Sequence, residues 1–157
     1  MHDYRNEIRR LMITVNQVEG LYYSAAKILG IKENTLTLLY ALDDGKSHSQ
    51  KQICDEWFIP RTTINTVVKE CVNAGYITLM NEKRSKEKKV VITSKGRMYA
   101  QSVLQNIYLA EQNAMAETLT EFTPDFIAAM RKFVEFLQNN FEQQLLSQSK
   151  NKPESDI

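Results

Sequence analysis

The spacing of apolar residues changes period once along this chain, between residues 76 and 93, and that change limits the folds open to it. On either side, apolar residues recur at three- and four-residue intervals, the mark of amphipathic helices. Between them, Tyr76–Asn81 and Lys88–Thr93 are short β-prone runs, VVIT being the clearer of the two. The stretch that joins them, NEKRSKEKK, is polar and basic. This predicts one β-hairpin with a charged tip, set inside an otherwise helical protein.

The helical parts divide at their own punctuation. Ile8, Leu11, Met12, Val15, Val18, Tyr22 and Ala25/Ala26 predict a long helix over residues 4–29, closed by Gly30. A second helix spans about Asn34 to Ala41, and Asp43-Asp44-Gly45-Lys46 reads as a turn. Ser49 and Gln52 form an S-x-x-Q capping box that opens a third helix, with Ile53, Cys54 and Trp57 as its buried stripe. That helix must stop before Pro60, which pushes Ile59 towards an extended conformation. A fourth helix runs from about Arg61 to Ala74, with Ile64, Val67, Val68, Cys71 and Val72 on one face, and Gly75 closes it. After the hairpin a long helix reaches about Leu119. Thr123-Pro124-Asp125 starts a last one lined by Phe126, Met130, Phe133, Leu137 and Phe141. The polar run from Ser147 predicts a disordered tail.

The expected fold is therefore mainly α with a small β-hairpin wing: a winged helix-turn-helix with helices added at both ends. The expected organisation is an N-terminal dimerisation helix over 1–30, a winged helix-turn-helix over 31–97, C-terminal dimerisation helices over 98–146, and a tail over 147–157. The terminal helices carry more apolar surface than a small central domain covers, and an exposed stripe is a liability. Pairing with a second copy is the economical solution; packing within a monomer is the alternative.

Charge is uneven. The net formal charge is +1, yet Pro60 to Met98 holds nine Lys/Arg against three Glu. A basic patch on a near-neutral protein suits a polyanion docking on one face. A merely solvated basic hairpin fits the charge equally well. The position of the patch separates the two readings. A recognition helix needs an apolar face to anchor it and a polar face of short side chains that reach base edges. The helix from Arg61 has both. Thr62, Thr63, Asn65 and Thr66 are small enough for close approach, Asn65 suits adenine, and Arg61 and Lys69 suit guanine or phosphate. Capping of the helix by Thr62 or Thr63 is the structural alternative. Lys83, Arg84, Lys86, Lys88 and Lys89 lie on or beside the hairpin tip, where they can follow phosphates or enter a minor groove.

IPRTTINTVVKECVNAGYI, the basic wing and VVITSKG together resemble the MarR family of bacterial transcriptional regulators, over roughly residues 10–140. Thr93 and Gly96 match that family's T-x-x-G entry to its long fifth helix. The resemblance implies a homodimer on a two-fold related operator, double-stranded DNA as partner, and repression often relieved by a small ligand. It places Thr62, Thr63, Asn65, Thr66 and Lys69 on recognition-helix positions and Arg84, Lys86 and Lys88 on wing positions. Family wings carry an aspartate shortly before an arginine. Lys83–Lys89 holds no Asp, and Glu87 is its one acid, which argues for a looser or shorter wing.

Other classes are disfavoured. There is no glycine-rich phosphate loop, no nucleophile with a paired base and no metal triad, so no enzyme, cofactor or metal is expected. Cys54 and Cys71 fall on apolar faces, where a thiol is usually inert. His2 and His48 are the only histidines, too few for a zinc sensor, and His48 reads as a surface residue. The charged, amphipathic start is not a signal peptide, no apolar run is long enough for a membrane span, and reduced cysteines suit the cytoplasm. A pocket for a small aromatic or amphipathic ligand, lined by Tyr22, Tyr23, Tyr40 and Tyr108, competes with these tyrosines being core. The rival functional class is a winged-helix dimer that docks on another protein without operator binding.

Overall fold

The computed structural model describes residues 3–81 and 87–146. Arg84, Lys86 and the tail from Ser147 lie outside the described residues. The order is α1 (Arg5–Leu29), α2 (Glu33–Leu42), β1 (His48–Ser49), α3 (Gln50–Trp57), α4 (Arg61–Asn73), β2 (Ile77–Asn81), β3 (Lys88–Ile92), α5 (Ser94–Glu121) and α6 (Asp125–Phe141), with a π-helical turn at Glu142–Leu146. The protein is mainly helical with a small wing, as the periodicity predicts. No described helix is long and apolar enough to cross a membrane. The chain divides into two compact units, residues 1–109 and 110–157.

In the first unit α2 is the central helix. Leu38, Leu39 and Leu42 are fully buried, together with Ile53 of α3, Ile64, Val68 and Cys71 of α4, Val90 of β3 and Leu104 of α5. α1 ends where Gly30 takes a left-handed φ of 67°, and the Ile31 amide donates back to the Ala26 carbonyl at 3.0 Å. That closure satisfies a last-turn carbonyl and drives Ile31 into the core. The capping box at the start of α3 is present in both directions. The Gln52 amide donates to Ser49 Oγ at 3.1 Å, and the Ser49 amide donates to Gln52 Oε1 at 2.8 Å.

The sheet contains the predicted hairpin, β2 with β3, and adds a strand to it. It has three antiparallel strands in the order β1-β3-β2, with Ser49 opposite Lys89 and Ile77 opposite Ile92. β1 is two residues long, too short to leave a period in the sequence. His48 belongs to it rather than to open surface. Its side chain is only 13% exposed, and Nε2 lies 3.0 Å from both carboxylate oxygens of Asp44. Two further expectations fail. Trp57, the last residue of α3, is 40% exposed rather than buried, although its ring packs in a T-shaped contact with that of Tyr40 at 5.6 Å between centroids. Val72 is 37% exposed, at the margin of the apolar face of α4.

The second unit contains the end of α5 and all of α6. α6 starts after Pro124 and has no fully buried residue. Met130, Phe133 and Leu137 are half-buried, whereas Phe126, Phe136 and Phe141 are exposed.

Candidate nucleic-acid interface

Helix α4 is fixed from below and open above. Ile64, Val67, Val68 and Cys71 anchor it in the core. The 3.6-residue period then turns Arg61, Thr62, Asn65, Thr66, Lys69 and Asn73 outward, and all six are exposed. Thr63 is half-buried at the edge. The approach to α4 is a tight turn in which Phe58 takes a left-handed φ of 52°. Pro60 is the N-cap, with no side-chain cap bond, and its carbonyl accepts from the Ile64 amide at 3.0 Å. Neither Thr62 nor Thr63 caps the helix, which removes the structural alternative for these residues. Thr66 Oγ1 instead donates to the Thr62 carbonyl at 3.1 Å, a bond that orients the hydroxyl along the helix surface.

The exposed face of α4 lies between two grooves. One, of about 370 Å³, is lined by Gln50, Lys51 and Cys54 of α3, Arg61, Ile64 and Asn65 of α4, and Glu87 and Lys88 beside β3. The structure thus brings Arg61, Asn65 and Lys88 together, although Lys88 is 27 positions from Arg61 in the chain. The other groove, of about 430 Å³, takes Thr62, Thr63, Thr66 and Glu70 from α4 and Lys32, Glu33 and Asn34 from the start of α2. Gln50, Lys51, Lys32 and Asn34 escaped the sequence reading. The capping box was the signal for the first two, since it puts Gln50 and Lys51 in the opening turn of α3.

A third cleft, of about 470 Å³, shares Glu33 with the second groove. Val18, Leu36, Ile59 and Ile107 line it with Tyr22, Tyr40, Trp57, Glu19, Glu33 and Thr37. Of the four tyrosines singled out above, Tyr22 and Tyr40 line it. Tyr108 supports it from behind, 5.4 Å from the Tyr40 ring centroid, with its hydroxyl donating to Asp43 Oδ2 at 2.7 Å. Tyr23 is not among the lining residues and is exposed.

Both cysteines are buried and free. Burial, reinforced by the nearby Glu70 charge, pushes the Cys71 thiol up to about 11. Among the described residues, no three His, Cys, Asp or Glu side chains cluster so as to hold a metal ion.

Residues 29–86 match the model of the MarR family. Among solved structures, a MarR family regulator from Neisseria meningitidis is similar with a TM-score of 0.68 at 18% identity, over 93% of this chain and 99% of that one. A MarR family transcriptional regulator from Silicibacter pomeroyi DSS-3 has a TM-score of 0.68 at 14% identity, over 83% of this chain and 93% of that one. One from Listeria monocytogenes, complexed with 26mer DNA, has a TM-score of 0.65 at 19% identity, over 99% of this chain and 100% of that one. No curated protein matches the chain.

Proposed function

We propose that this chain, a member of the MarR family by its winged helix, is a sequence-specific DNA-binding transcriptional regulator that acts as a homodimer on an inverted-repeat operator. The observation that carries the proposal is the two-faced α4. Four buried residues hold it, while Arg61, Thr62, Asn65, Thr66 and Lys69 stand exposed beside Lys88 of the wing. Short polar side chains on an anchored helix match the demands of a major groove, and the flanking cations match phosphate. Thr63, Arg84 and Lys86 belong to the same proposed contact set. The similar Listeria regulator complexed with DNA supports duplex DNA as the partner. Such a partner places the protein in the cytoplasm.

Repression follows from occupancy of the operator. A small aromatic or amphipathic ligand in the Tyr22–Tyr40–Trp57 cleft releases the protein from it. The cleft is largely apolar with a few polar groups, the composition usual for a ligand site.

Binding to a random duplex across a salt series tests the core of this reading. Affinity should fall steeply with salt as phosphate contacts release counterions. Footprinting should then protect two half-sites related by inversion, about 10 bp apart from centre to centre. Absent or salt-insensitive binding would favour a protein-docking module, and a single asymmetric half-site would count against the dimer.

A further inference from the structure

A helix lying in a major groove has a sugar–phosphate strand on each side of it. The wing and α3 serve one flank of α4. The opposite flank is the groove lined by Lys32, Asn34, Thr62, Thr63, Thr66 and Glu70. Lys32 supplies its positive charge, and that charge is already engaged: Nζ donates to Glu70 Oε1 at 2.8 Å, across 38 positions of sequence. The two side chains are 73% and 42% exposed. An ion pair so open to water adds little stability, so the fold does not depend on it. What the pair does is hold a cation beside the threonines of the reading face. Lys32 is also the N-cap of α2, where its side chain makes no cap bond and its carbonyl accepts from the Thr35 and Leu36 amides at 2.9 and 3.0 Å. Glu33 stands on the same rim, and it lines the aromatic cleft as well. Its charge opposes an anion here, which makes the disposition of Lys32 decisive.

We propose that Lys32 binds a backbone phosphate on the flank of α4 opposite the wing, and that Glu70 occupies Lys32 in the free protein until that phosphate displaces it. A carboxylate and a phosphate offer the same ammonium a charge-assisted hydrogen bond, so one substitutes for the other. Glu70 thereby sets a threshold: binding is registered on this flank only when a phosphate arrives at the right distance from α4. The proposal rests on the DNA-binding reading above.

The test uses the full chain and a random 30-bp duplex, with affinity measured from low to moderate salt for the wild type, Lys32→Ala, Lys32→Arg, Glu70→Gln and the Lys32→Ala/Glu70→Gln double variant. Lys32→Ala should weaken binding several-fold at low salt and reduce the salt slope by about 0.9 per protomer bound, while Lys32→Arg keeps the slope. Glu70→Gln should tighten binding several-fold with Lys32 present and leave it unchanged with Lys32 removed. A Glu70→Gln gain that persists without Lys32 means a general charge effect and overturns the inference. An unchanged slope in Lys32→Ala overturns it too while leaving DNA binding intact. A wild type that binds no duplex overturns the functional reading, and this inference falls with it.

Discussion

Asn65 and Lys88 line the same groove from different elements, and they ask different things of a duplex. An amide pairs with the edge of one base, whereas an ammonium meets phosphate whatever the sequence. Asn65→Ala should therefore relax base preference at one position. Lys88→Ala should weaken all sequences by a similar factor and lower the salt slope by about 1. Selection from a random DNA pool, followed by titration of the winners, separates the two outcomes; identical behaviour would end the division into reader and anchor. Cys71 makes a sharper statement about chemistry. With its thiol pushed up to about 11 by burial first and Glu70 second, the reactive thiolate form is disfavoured at neutral pH. Native protein should resist iodoacetamide at Cys71 for hours and label quickly in urea; rapid native labelling, read by mass spectrometry, would show a more open site. Asn65 and Cys71 were legible in the sequence because a 3.6-residue period sorts α4 into two faces, and Lys88 because it belongs to the basic run beside the hairpin tip. The Lys32–Glu70 pair was not, since no local pattern links positions 38 apart.

The corner between α4 and β2 is closed by the start of α5, and it accounts for the T-x-x-G motif physically. Thr93 Oγ1 donates to the Gly75 carbonyl at 2.7 Å and accepts from the Gly96 amide at 3.0 Å. Lys95 Nζ donates to the Ala74 carbonyl at 2.6 Å and lies 5.3 Å from the centre of the Tyr76 ring, which stacks on Tyr99. A Cβ at position 96 would overlap the Tyr76 carbonyl oxygen and stand 2.9 Å from Ile92 Cγ1. Gly96→Ala should therefore cost about 1–3 kcal/mol in a urea melt, because backbone rather than a movable side chain must shift; an unchanged midpoint would mean that the corner gives way freely. At the other end of the sheet, the hydrogen bond from His48, then that from the Lys46 amide, lowers the Asp44 pKa. A carboxylate stabilised in the folded state contributes above its unfolded pKa and loses that contribution as pH falls through the lowered folded value. Wild type and Asp44→Asn should thus differ in thermal midpoint near neutrality and converge at acid pH, below the ordinary carboxylate range. A gap that persists there would assign the effect to something other than ionisation. Helix ends were readable from caps and glycines, and the two long strands from their β-prone runs. β1 was not, because its two residues are strand only through pairing with β3, about 40 positions on.

At the scale of the whole molecule, apolar side chains remain uncovered at both ends of a single chain. Ile8, Ile13 and Leu21 on α1, and Phe126, Ile127, Val134 and Phe141 on α6, are all at least 41% exposed. Under the dimer proposal these are the surfaces that a second copy covers. An Ile8→Glu/Phe126→Glu variant should sediment as a monomer at concentrations where the wild type is dimeric, and should lose most of its operator affinity; a wild type that is monomeric at all concentrations would refute the proposal. The helical stripes themselves were evident from spacing, but the partner of a stripe is not written in its period. Ser49 has a different kind of reach. It caps α3 and is paired with Lys89 in the sheet, so one residue belongs to the helix-turn-helix and to the wing. Breaking its backbone pairing should loosen the cap, and losing the cap should loosen the strand. In the language of amide exchange, α3 and β3 should open as a single cooperative unit, their protons trading with solvent at matched rates, so the helix that precedes α4 and the central strand of the sheet are folded together or lost together.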